Sequence, residues 1–131
     1  MSIITKFLVI VTVLISMVFP ADVNGCVVDD VAVKEGVINY TITNETGLVI
    51  EGDTWVESLE MKVLNSWVNC NASDEALGGG GYLNPGDAYS DSYNALVLIP
   101  GTYKLTIGYN VVTEFDGSTK VGYATVEFIV E

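Results

Sequence analysis

Few residues in this chain could support catalysis, because it contains no histidine. Without histidine the sequence lacks the commonest general base and cannot form a Ser-His-Asp triad. The carboxylate pairs Asp29-Asp30 and Asp74-Glu75 are poor catalytic dyads, because neighbouring residues of a strand point to opposite faces. The run Gly78 to Gly81 lacks the lysine and the strand–helix context of a phosphate-binding loop. The sequence therefore predicts a protein that is not an enzyme and carries no cofactor.

Cys26 and Cys70 are the two cysteines of the chain, and they allow alternative interpretations. In an exported protein two cysteines most simply form one disulfide, which would stabilise the fold by about 4 kcal/mol in the chain-entropy model. Alternatively, Val23-Asn24-Gly25-Cys26 is similar to a bacterial lipobox, and Cys26 would then carry a lipid anchor. Two unpaired thiols are the third interpretation. Zinc is not expected from two sulfurs without histidine.

Tyr89, Asp91 and Tyr93 alternate along one predicted strand and therefore share one of its faces. Two aromatic rings with a carboxylate between them could bind a sugar or a peptide, so these residues form the candidate ligand-binding site. Packing of the tyrosines in a core explains the same pattern. Both interpretations predict a strand at this position.

Metal binding is not predicted, although calcium has some support. Calcium prefers hard oxygen ligands, and it needs six to eight of them. Carboxylates occur at several probable loop or strand ends, but without EF-hand spacing: Asp53, Glu57, Asp87, Asp91, Glu114 and Asp116. Three N-x-[ST] triplets, at Asn39, Asn44 and Asn71, would accept glycans in a suitable host.

The first 25 residues have the pattern of an export signal. Lys6 is followed by thirteen almost unbroken apolar residues, from Phe7 to Phe19, and then by a short polar stretch ending at Gly25. This apolar run is shorter than the roughly 20 residues that a transmembrane helix needs. We therefore expect a signal helix within residues 1–25 and a mature domain over residues 26–131, located extracellularly or in the cell envelope.

The charge of the chain restricts its partners. Seventeen acidic residues against five basic ones give a formal net charge of -12. Such a surface repels nucleic-acid backbones and anionic lipid head groups, so we expect no nucleic-acid partner. Membrane contact is expected only through the leader or through a lipid on Cys26.

Alternation with a period of two dominates the mature region and predicts an all-β fold. Ile38, Tyr40 and Ile42 share one face of a predicted strand over residues 37–44. In the two clearest later strands, alternation places one set of residues on a single face of each strand: Tyr103, Leu105, Ile107 and Tyr109, and then Ala124, Val126, Phe128 and Val130. Residues 54–68 are ambiguous between one long strand, two short strands and a helix. About seven short strands with frequent turns are typical of a two-sheet sandwich.

Pro100-Gly101 forms a turn before Tyr103, where a tyrosine hydroxyl could bond the backbone a few residues upstream as a tyrosine corner. An ordinary turn followed by a core tyrosine is the alternative. When this segment is taken together with several others, the sequence resembles the bacterial immunoglobulin-like domains of secreted and envelope-attached proteins. The resemblance rests on Ile42 to Gly47, Ser58-Leu59-Glu60 with Trp67, Leu83 to Gly86, Leu98 to Tyr103 and Ala124 to Phe128.

This resemblance implies an immunoglobulin-like two-sheet sandwich that serves as a structural, adhesive or ligand-presenting module, without catalytic residues. Cys26 and Cys70 are not placed like the paired cysteines of antibody domains. We therefore expect an exported, non-enzymatic module that acts in cell-surface binding, adhesion or envelope structure, with an extracellular protein or glycan as its partner. Alternatives are an assembly subunit that exchanges the strand Cys26 to Val33, and an enzyme inhibitor that uses the loop Asn69 to Gly81.

Overall fold

The computed structural model describes residues 25–70 and 80–131, so the expected signal helix, apart from Gly25, lies outside the described residues. Within those two ranges the fold is all-β, with nine strands and no helix, and so no helix there that is long and apolar enough to cross a membrane. The strands form two antiparallel sheets. The all-β prediction is confirmed for the part of the chain that the structure describes.

The smaller sheet has three strands in the order β1-β2-β7, and the larger sheet contains the remaining six. In the larger sheet, β8 pairs with β9 along one edge and with β4 and β3 along the other. Two strands, β3 and β6, contain only two residues each, which leaves seven longer strands. The bounds are β1 (Cys26–Lys34), β2 (Val37–Asn44), β3 (Ile50–Glu51), β4 (Trp55–Val63), β5 (Ser66–Asn69), β6 (Tyr82–Leu83), β7 (Ala88–Asn94), β8 (Gly101–Val112) and β9 (Thr119–Val130).

One hydrophobic core lies between the two sheets. The residues predicted to share one face of β2, β8 and β9 do so, and that face is the buried one, except that Val130 at the end of β9 is only partly buried. The rings of Tyr103 and Phe128 stack with their centroids 5.7 Å apart. Strand β1 also packs against β9, which brings the two sheets together along one side. Burying these apolar faces is the main contribution to the stability of the fold.

Residues 54–68 form two strands, β4 and β5, joined by a tight turn in which Leu64 has a φ of 56°. The prediction of two short strands is confirmed here, and the helical alternative is wrong. A β-bulge at Glu57 interrupts the pairing of β4 with β8 between Val56 and Ser58. Because a bulge inserts one extra residue, it shifts the alternation of inward and outward side chains along β4.

The segment before β8 has the hydrogen bond that a tyrosine corner requires. The hydroxyl of Tyr103 donates to the carbonyl oxygen of Ile99 at 2.7 Å. Tyr103 is almost fully buried, so this bond satisfies a polar atom that would otherwise be costly in the core.

Candidate functional site

Tyr89, Asp91 and Tyr93 share one face of β7, and that face is directed toward the larger sheet. Their cross-strand partners on β2 are Ile42, Tyr40 and Ile38, all of which belong to the core. Tyr93 is only 1% exposed. The side chain of Tyr93 is therefore part of the core, as the packing interpretation expects, and does not present a surface to a ligand.

The other two members of this group take part in interior polar contacts. The hydroxyl of Tyr89 is hydrogen-bonded to the hydroxyl of Thr54, which is fully buried. One carboxylate oxygen of Asp91 accepts a bond from the backbone N–H of Ser92 at 2.8 Å. Among the described residues, the other oxygen of Asp91 and the hydroxyl of Tyr40 are buried without a hydrogen-bond partner. Burial raises the pKa of Asp91 above its ordinary value, because the charged form is poorly solvated.

Cys26 and Cys70 are both free thiols in the structure, so the expected disulfide is not formed there. The backbone N–H of Cys26 donates to the hydroxyl of Tyr109 at 3.1 Å. Cys70 contacts the carbonyl oxygen of Leu59 through its N–H at 2.9 Å and its Sγ at 3.3 Å. Leu59 pairs with Leu105 of β8, four residues before Tyr109 and about 13 Å away along the strand. The two cysteines are therefore held against different parts of β8.

The environment of each thiol also bears on its chemistry. Cys26 is 7% exposed, and burial raises the pKa of its thiol to about 12. Burial raises the pKa of Cys70 as well. A lipid on the sulfur of Cys26 would require the start of β1 to leave the core. Gly122 makes room for the Tyr109 ring beside Cys26, since a Cβ at Gly122 would lie 2.6 Å from that ring.

The three asparagine triplets differ in their environment. Asn39 is exposed on β2, whereas Asn71 lies outside the described residues. Asn44 is fully buried, and its Nδ2 donates to the carbonyl oxygens of Leu48 at 2.7 Å and Leu83 at 2.9 Å. A glycan attached to this nitrogen would break both bonds. Asn44 therefore has a structural role, joining the end of β2 to the loop at Leu48 and to β6.

The carboxylates considered for calcium do not converge in the described part of the chain. No group of three or more acidic or cysteine side chains there is placed to hold a metal ion. Asp116, for example, accepts bonds from the N–H and hydroxyl of Ser118 in the β8–β9 turn, and these bonds lower its pKa.

The most distinctive surface is the outer face of the larger sheet, which contains both tryptophans of the chain. We use "outer face" for the side chains of β4, β5, β8 and β9 that point away from the core. Hydroxyls and opposite charges separate its aromatic residues. Its members are Trp55, Ser58, Glu60, Lys62, Trp67, Lys104, Thr106, Tyr123, Thr125 and Glu127.

One end of the outer face is a tryptophan–lysine cluster. The Nζ of Lys104 lies 4.5 Å from the ring centroid of Trp67, and the Nζ of Lys62 lies 6.0 Å from it. Lys104 also forms an ion pair with Glu60 at 3.7 Å. Each exposed cation–π contact stabilises by about 0.5–1 kcal/mol, and the surface ion pair by about 1 kcal/mol or less. These contacts hold the Trp67 ring in place on the surface.

The other end is an aromatic platform formed by Trp55, Gly108 and Tyr123. The register pairs Gly108 with Trp55 on β4 and with Tyr123 on β9. A Cβ at Gly108 would overlap the indole of Trp55, so this ring lies across the bare backbone of β8. Its Nε1 donates to the carboxylate of Glu57 at 2.9 Å. Tyr123 is 54% exposed beside it.

Leu59, Met61, Val63 and Trp67 all have odd numbers, so simple alternation would place Trp67 on the same face as the buried Leu59. The turn at Leu64 places Trp67 opposite Lys62, on the outer face instead. The sequence does contain one indication of the platform, because Gly108 lies inside a predicted strand and a glycine there often marks the close approach of another group.

Comparison with known proteins identifies no family for this chain. No protein-family model matches the sequence, and a search of curated proteins finds no match.

Proposed function

We propose that this chain is an exported, non-enzymatic immunoglobulin-like module that binds an extracellular protein or glycan through the outer face of its larger sheet. The single observation that carries the proposal is the placement of both tryptophans and Tyr123 on that face, outside the core. Aromatic side chains are enriched at binding hot spots. The absence of histidine supports a role without catalysis.

The strand arrangement supports the immunoglobulin-like assignment. A three-stranded sheet packs on a sheet in which β8 is flanked by β4 and β9, as the central strand of the CFG sheet is in immunoglobulin domains. The bond from Tyr103 to Ile99 is the second supporting feature. Strand β5 pairs with β4 and extends the larger sheet, at the position where variable-type domains add a strand to the CFG sheet.

The leader over residues 1–25 supports a location outside the cytoplasm, in the extracellular space or the cell envelope. Mass spectrometry of the protein from cells that express the full chain would test this. We expect the N-terminus at Cys26 without acylation. A full-length protein in the cytosol would contradict export.

Assembly by strand exchange has less support. Strand β1 is paired with β2 and packs against β9, so donating it would disrupt both contacts. Most of the loop considered for enzyme inhibition lies outside the described residues.

Binding through the outer face is tested by screening the protein on arrays of extracellular proteins and glycans. Trp67→Ala and Trp55→Ala should each weaken any interaction found for the unmodified protein. Phe115→Ala is the matched control, because Phe115 is a fully exposed aromatic residue in the β8–β9 turn, away from this face. Failure to bind any array member, or equal binding by all three variants, would contradict the proposed function.

A further inference from the structure

The aromatic platform has an unusual construction for a strand surface. Gly108 is buried beneath the Trp55 indole, although it lies on the outward side of β8. The tyrosine on the other side, Tyr123, is the direct cross-strand partner of Gly108, and the Cα atoms of such partners lie about 5 Å apart. The indole and Tyr123 are therefore neighbours. Together they place two aromatic side chains side by side across three strands.

Two contacts fix the orientation of the Trp55 indole. Below it, the backbone of Gly108 leaves space for the ring to lie flat. At its edge, the bond from Nε1 to Glu57 satisfies the only polar atom of the ring. The bulge that adds Glu57 to β4 keeps this carboxylate next to Trp55. Trp55 is only partly buried, so part of its ring is accessible to a ligand.

Polar groups border the platform along the strands. The next row of the outer face contains Ser58, Thr106 and Thr125, and the hydroxyls of Thr106 and Thr125 lie 3.2 Å apart. Hydroxyl groups both donate and accept hydrogen bonds, and Glu57 is an acceptor. The platform thus combines an apolar plane with groups suited to a ligand rich in hydroxyls.

We propose that this platform binds an internal segment of an uncharged, β-linked polysaccharide. A pyranose ring with equatorial hydroxyls has an apolar C–H face that packs on a flat aromatic ring, while its hydroxyls meet polar groups at the ring edge. A β-linked chain presents such faces in an extended ribbon, which fits an open, flat surface. The net charge of -12 disfavours acidic polysaccharides. The inference rests on the proposed function, because it specifies the ligand class of the same face.

Calorimetric titration with cellohexaose, laminarihexaose and chitohexaose tests the inference, with α-linked maltohexaose and an acidic oligogalacturonide as comparison ligands. We expect at least one β-linked hexaose to bind more tightly than both comparison ligands. Trp55→Ala should weaken that binding by at least about tenfold, as expected for a hot-spot residue. Tyr123→Ala should weaken it by about threefold to tenfold.

Phe115→Ala is the matched control, because it removes an exposed aromatic side chain in the β8–β9 turn and should change the affinity by less than about twofold. Since Trp55→Ala could also affect folding, Tyr123→Ala, at an exposed position, provides an independent test. Absence of binding to all three β-linked hexaoses would overturn the inference, as would unchanged affinity in both platform variants. If a protein bound through Trp67 while no hexaose bound, the inference would fail and the proposed function would stand.

Discussion

Two groups of aromatic side chains in this molecule occupy opposite environments. On the smaller sheet, Tyr40, Tyr89 and Tyr93 face inward. On the larger sheet, Trp55, Trp67 and Tyr123 face outward, where glycine, lysine and glutamate residues position the two tryptophan rings. The difference indicates that the inner group stabilises the fold, whereas the outer group is free to bind.

The largest expected effect is on stability, from removing one ring of the inner group. Tyr93→Ala should lower the free energy of unfolding by about 3–5 kcal/mol, because it leaves a cavity in the core. Tyr123→Ala, on the exposed face, should change it by about 0.5 kcal/mol or less. Urea denaturation followed by circular dichroism measures both values. Similar losses in the two variants would contradict the division between the groups.

A smaller effect on the free energy of unfolding is expected from substituting Asp91, whose carboxylate lies among the inner tyrosines. Its pKa in the folded state is raised above 3.8 by burial, so the folded protein binds this proton more tightly than the unfolded chain does. Ionising Asp91 therefore costs stability, and the cost develops as the pH rises from 3.8 through the folded pKa. Asp91→Asn should be more stable than the unmodified protein at pH 7, and this difference in stability should decrease as the pH falls toward 3.8.

Thermal unfolding of both proteins between pH 3 and pH 7 measures this gap. Tyr40→Phe is the control, because it removes the other buried polar atom without a partner but leaves the carboxylate. Its effect on stability should not vary over this pH range. A gap for Asp91→Asn that widened toward low pH would refute the assigned sign.

The smallest expected effect concerns the thiols. Reduction should leave the melting temperature and the mass unchanged, because Cys26 and Cys70 are not bonded to each other. Iodoacetamide at pH 8 should label Cys70 faster than Cys26, whose thiol is more deeply buried and has a pKa of about 12. Mass spectrometry of the labelled peptides follows both rates. A mass increase of about two hydrogens on reduction would demonstrate a disulfide instead.

Alternation in the sequence was sufficient to predict which residues share a face of a strand. The inward positions of Ile38, Leu105 and Val126 follow from it, because apolar side chains occupied every second position. Alternation could not show which face of β7 is buried, since tyrosine suits a core and a surface equally. That choice depends on pairing with β2, about 50 residues earlier in the chain.

The outer face was harder to predict because two local irregularities change the alternation. The bulge at Glu57 makes Val56 and Leu59 both inward, although one has an even and the other an odd number. The turn after Val63 includes Leu64 with a positive φ, at a position where glycine or asparagine would have indicated a turn. Simple alternation therefore gives no indication that Trp55 and Trp67 both lie on the outer face.

The hydrogen bond between Cys26 and Tyr109 affects the stage of synthesis at which folding of the domain can finish. It joins residues 83 positions apart, and β1 also packs against β9, the final strand described. Contacts between such distant segments form late and slow the folding rate. During synthesis, β1 therefore lacks its contacts with β9 until β9 has left the ribosome. Until that moment the nascent chain remains open and accessible to chaperones.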